Sequence, residues 1–90
     1  MATESNNSVR FNEEYLEDLQ FIGGALRLAR KSNKMSMRDL SACSGVMPYQ
    51  ISNIENAKAA TKTQTLHRLF RAMELSLEEA FNAYRLFKEG

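Results

Sequence analysis

Ser36-Met37-Arg38-Asp39-Leu40-Ser41-Ala42-Cys43-Ser44-Gly45-Val46-Met47-Pro48-Tyr49-Gln50-Ile51-Ser52-Asn53-Ile54-Glu55 reads as two short helices joined by a tight turn. Leu40, Val46, Ile51 and Ile54 are its apolar points. Ala42 and Cys43 are small enough to let a second helix approach, and Cys43 is expected to be a small buried side chain. Gly45 falls between the helices, where a left-handed residue costs glycine almost nothing. Pro48 suits a first helical turn, because its missing N–H would have been unpaired anyway. Ser36 is a good N-cap for the first of the two helices, Met37 to Cys43, with Asp39 near its positive end.

The second helix, Pro48 to Asn56, anchors itself by Ile51 and Ile54 at i, i+3 and turns Tyr49, Gln50 and Asn53 the other way. This is a helix-turn-helix arrangement, whose second helix is offered to the DNA major groove. Gln50 and Asn53 can each pair bidentately with adenine, or use donor and acceptor separately. Tyr49 can pack on a thymine methyl or bond a phosphate.

The chain resembles the lambda-repressor/Cro-like helix-turn-helix regulators, the XRE family, over roughly residues 26 to 81. The likeness is carried by Leu26-Arg27-Leu28-Ala29-Arg30, Met35-Ser36, Leu40-Ser41, Ser44-Gly45-Val46, Ile51-Ser52-Asn53-Ile54-Glu55-Asn56 and the run Leu66 to Leu77. The resemblance implies an all-α, five-helix lambda-repressor-like domain with an N-terminal extension. It implies base reading by Pro48, Tyr49, Gln50 and Asn53, and phosphate contacts at Met37, Arg38, Ser52, Asn56, Lys58 and Lys62. It also implies a salt bridge between Arg30 and Glu55. Two positions depart from the pattern. Pro48 replaces a hydrogen-bonding residue, and Met37 replaces a bracing glutamine, so one phosphate anchor is expected to be either missing or moved to Arg38. Relatives carry glycine where Ala57 stands, and Asn56 is expected to take the left-handed turn instead.

Charge supports a polyanionic partner. The net charge is +1, but residues 1–18 carry five acids against Arg10. Residues 27–71 carry nine bases against Asp39 and Glu55, so the cations gather around the two short helices.

The rest of the chain is read as follows. Residues 1–11 form a flexible polar arm, and 12–90 a single domain with a C-terminal dimerisation helix. The first helix begins between Asn12 and Asp18 and ends at Ser32, with Ile22, Ala25, Leu26 and Ala29 inward and Arg27 outward. Gly23-Gly24 either permits close packing or breaks that helix in two. Thr63 to Met73 forms a fourth helix, with Leu66, Leu69, Phe70 and Met73 inward and His67 at the surface. Ser76 and Glu79 make a capping box for the fifth. Leu77, Phe81, Tyr84 and Phe87 are more apolar surface than one small core needs. A partner subunit is the preferred cover, with the folded-back N-terminal segment as the alternative.

One cysteine excludes an internal disulfide, and the sequence has no Cys/His cluster for a metal. No nucleophile–base pair or phosphate-cradling glycine loop is visible, so neither an enzyme nor a cofactor is expected. No apolar run is long enough to span a membrane, and the N-terminus is not signal-like. These readings converge on a cytoplasmic, bacterial or phage-encoded regulator, a homodimer binding double-stranded DNA at a palindromic operator and acting as a repressor. Two alternatives are an antitoxin-type autorepressor that also binds a toxin, and a protein-interaction module that has lost DNA binding. Either would bring a regulatory protein partner.

Overall fold

The computed structural model describes residues 2–90, with side chains described from Glu13 onward. Five helices follow in order: α1 (Ala2–Ser32), α2 (Met37–Ser44), α3 (Pro48–Glu55), α4 (Thr63–Arg71) and α5 (Leu77–Glu89). The described residues contain no strand, so the fold is all-α.

Local chemistry sets most boundaries. Ser36 Oγ accepts from the Asp39 N–H, and the Asp39 carboxylate accepts from the Ser36 N–H, closing a capping box on α2. Ser76 and Glu79 repeat the device on α5. Gly45 ends α2 at φ 78°, its N–H donating to Ser41 O at 2.8 Å.

Three expectations are corrected. α1 begins at Ala2, so the stretch read as an arm continues the helix as far as it is described; Met1 lies outside the described residues. Once the packed part of a helix exists, each further residue adds a hydrogen bond without a new nucleus, and Asn12 does not interrupt the propagation. Cys43 is exposed, and Ser44 is the buried residue of that turn. Leu40 is the inward residue of α2, and i+4 from it is Ser44. Ala57, not Asn56, takes the left-handed conformation, at φ 57° against −93° for Asn56. Asn56 stays close to helical geometry because its side chain is bonded back to Ser52. Arg27 lies on the outer side of α1 with 43% of its side chain exposed, and it is also partnered, as described below.

The core joins Ala25, Leu26 and Ala29 of α1 to Leu40, Val46, Ile51, Ile54, Leu66, Leu69, Phe70, Met73 and Ala80. α1 runs through the middle, packed on α3 along one side and α5 along another. The glycine pair is what permits this. A Cβ at Gly23 would sit 2.8 Å from Glu55 O and closer still to Ile54 O; one at Gly24 would strike the Tyr84 ring and hydroxyl. α1 is therefore unbroken at Gly23-Gly24.

α1 also covers much of α5. Phe21 meets Phe81 edge-on at 5.5 Å between centroids and Tyr84 at 5.1 Å. Leu77, Phe81 and Tyr84 are half-buried against the core. Phe87 stacks on Tyr84 but remains 64% exposed, next to exposed Leu86.

Candidate nucleic-acid interface

α3 is held from behind and open in front. Ile51 and Ile54 are buried, Tyr49 is 63% exposed, Gln50 is exposed, and Ser52 and Asn53 are half-buried. Pro48 occupies the first helical position after Met47, the N-cap. The Met47 N–H donates to Gln50 Oε1 at 3.3 Å. Asn53 lines a shallow concavity of about 200 Å³ with Tyr49, Gln50, Ala59, Ala60 and Thr61, so the loop after α3 borders its outward face.

The far end of α3 is bolted to α1. Glu55, its side chain fully buried, accepts from Arg30 Nε on Oε2 at 2.7 Å and from Arg30 Nη2 on Oε1 at 2.9 Å. Arg30 Nη1 donates to Met35 O at 2.9 Å, so one guanidinium ties α1, α3 and the loop before α2. The Glu55 hydrogen bonds hold the Arg30 guanidinium above its ordinary pKa.

Arg27 adds a second cation to the same carboxylate, Nε to Oε1 at 3.3 Å, and donates through Nη2 to Asn56 Oδ1 at 2.8 Å. Sequence reading missed this role, although the i, i+3 spacing of Arg27 and Arg30 places both on one helical face. Asn56 in turn donates from Nδ2 to Ser52 O and Oγ, at 2.9 and 3.3 Å. The Asn56 side chain thus closes the C-terminal end of α3. Buried Arg30 leaves the pool of cations open to a partner, while Arg27 stays 43% exposed beside it.

Seven bases of the same region remain exposed: Lys31, Lys34, Arg38, Lys58, Lys62, Arg68 and Arg71. Lys58 and Lys62 flank the loop beside α3, whereas Arg68 and Arg71 line a recess of about 620 Å³ with Cys43, Gln64 and His67, without any α3 residue. Lys62 is the N-cap of α4 and no side chain caps that helix, so its first-turn amides stay open to an outside acceptor. Met37 packs its side chain against the core, which leaves main-chain N–H as its polar offering at the start of α2.

A short helix with buried isoleucines and outward amides, preceded by a capped helix and a left-handed glycine, is the geometry of a DNA-reading pair. A family model described as helix-turn-helix, HTH_3, matches residues 26–79, more than half of the chain. The chain belongs to the lambda-repressor-like helix-turn-helix family. In this helix-turn-helix protein the match begins inside α1 and ends inside α5, so it takes in every core residue except Ala25 and Ala80. Members of the family are DNA-binding transcription regulators. No curated protein and no solved structure matches the chain. Among the described residues no helix is long and apolar enough to cross a membrane.

Proposed function

We propose that this helix-turn-helix protein is a sequence-specific repressor that binds a palindromic operator as a homodimer. The observation that carries the reading is the division of α3: Ile51 and Ile54 sunk in the core, Tyr49, Gln50 and Asn53 turned out beside a loop flanked by Lys58 and Lys62. Base edges go to Tyr49, Gln50 and Asn53, with Pro48 supplying only apolar contact because it lacks an N–H. Phosphates go to Arg38, Lys58, Lys62, the Ser52 hydroxyl and the open amides at the starts of α2 and α4, including that of Met37. Asn56 contributes by holding the end of α3 in place.

The homodimer forms through the end of α5. Exposed Phe87 and Leu86 support it, with the uncovered edges of Leu77, Phe81 and Tyr84 beside them. Two-fold symmetry then sets the recognition helices about 34 Å apart, one turn of the duplex. Occupying a promoter blocks polymerase, which makes repression the default outcome.

The test is selection of bound fragments from random duplex DNA, followed by titration of the selected site at several salt concentrations. One enriched palindrome, with affinity falling steeply as salt rises, supports the reading. Equal binding to selected and scrambled duplexes, or no binding at low salt, overturns it.

A further inference from the structure

The Gln50 amide is turned by its own helix. Met47 stands at the N-cap without a capping oxygen, and Pro48 has no N–H to share. The Met47 N–H donates to Gln50 Oε1 at 3.3 Å. A backbone N–H only donates, so it selects the amide oxygen over the nitrogen. Oε1 is thereby drawn back toward the start of α3, and both Nε2 donors remain uncommitted on an exposed side chain. Asn53 has no such tether, for its side chain makes no hydrogen bond to any described residue. The two amides of α3 therefore offer different chemistry.

Base edges in the major groove differ in the same respect. Guanine and thymine present a keto oxygen, O6 or O4, where adenine and cytosine present an amino group. A donor meets the keto oxygen, and on guanine also N7, but faces another donor on the amino bases. A bidentate adenine pair needs Oε1 and Nε2 turned together to one base edge, which competes with the Met47 N–H for the direction of Oε1 even though that oxygen has a second lone pair. The geometry points to Gln50 as a keto-selecting residue: the base it reads is guanine or thymine, while Asn53 keeps the donor–acceptor pair suited to adenine. This rests on the DNA-reading function above and specifies what one of its residues selects.

The experiment is selection from random duplexes with the wild type, Gln50→Ala, Gln50→Met and Gln50→Glu, each first shown to be folded by circular dichroism. Gln50→Ala and Gln50→Met identify the operator position that loses its preference. At that base pair the wild type favours one placing of the keto and amino groups by about tenfold. Because every base pair carries one of each, it is the inversion of that preference by Gln50→Glu that identifies a keto reader. Gln50→Glu keeps an oxygen for the Met47 N–H but has no donor, so the same position switches to an amino base while the other positions are unchanged. A wild-type preference at that base pair that Gln50→Glu retains, as an amino-reading residue would, or unaltered profiles for Gln50→Ala and Gln50→Met, overturns the assignment while leaving DNA reading intact. A wild type that enriches no site overturns DNA reading, and the assignment with it.

Discussion

Arg30 holds Glu55 in a two-point fork, 2.7 and 2.9 Å, with the carboxylate wholly out of solvent and only a tenth of the arginine side chain exposed. The pair fixes the C-terminal end of α3 to α1 and so sets the angle at which α3 presents its outer face. Removing one partner of a buried pair strands the other charge, at about 3–5 kcal/mol. Urea titration of Arg30→Ala and Glu55→Gln is expected to show losses near 3 kcal/mol. Arg27→Ala, at the solvent-facing side of the same carboxylate with a 43% exposed side chain, is expected to lose less than about 1 kcal/mol. Equal losses for the two arginines would refute this ranking.

The glycine pair in α1 gives an asymmetric prediction. A methyl at position 23 meets main-chain carbonyls of α3 that cannot yield without moving the helix, whereas one at position 24 meets the free end of Tyr84. Gly23→Ala is expected to cost about 2–3 kcal/mol, the upper part of the range for overpacking, and Gly24→Ala clearly less. Thermal melts of both variants test the order.

Among the described residues, three other than glycine sit in the left-handed region: Lys34, Ala57 and Glu74, at φ 57°, 57° and 59°. Each follows a helix end, and each carries a Cβ that costs about 1–2 kcal/mol there. Part of that cost is offset because glycine makes the unfolded chain more flexible. Ala57→Gly is therefore expected to raise stability by about 0.5–1 kcal/mol, read by urea titration. A loss of stability would show that the loop relies on the alanine methyl.

Both capping boxes make stability depend on acid. The hydrogen bonds from the Ser36 and Ser76 backbone and hydroxyl hold the Asp39 and Glu79 carboxyls below their ordinary values. A carboxyl lowered in the folded state contributes fully above its unfolded value, roughly pH 4 for these groups, and loses that contribution as pH falls through the folded one. The double variant Asp39→Asn, Glu79→Gln is expected to be less stable at pH 7 and to approach the wild type as pH drops below about 4. Parallel curves across that window would contradict it.

What could be read from sequence was what short-range chemistry decides. Ser36 with Asp39, Ser76 with Glu79, Gly45 and Pro48 each act within a few residues of chain, and the i, i+3 isoleucines fix which way α3 faces. What escaped depends on neighbours far along the chain. Gly23 has meaning only because Ile54 and Glu55 lie across from it, and Arg27 because Glu55 can take two cations. Phe81 and Tyr84 count as surplus apolar surface in the sequence alone, whereas in the fold Phe21 packs on both. Ala57 departs from expectation for a different reason: Asn56 tolerates a left-handed turn better, but its amide is already committed to Ser52 and Arg27.

The sorting of residues into readers of bases and holders of phosphates is tested most directly by competition binding of Asn53→Ala and Lys58→Ala on the selected operator and a scrambled duplex. Asn53→Ala is expected to lose about 1–3 kcal/mol on the operator and almost nothing on the scrambled duplex, narrowing the gap between them. Lys58→Ala is expected to weaken both duplexes alike and to lower the salt slope by about 1. Identical behaviour of the two variants on both duplexes would contradict the account.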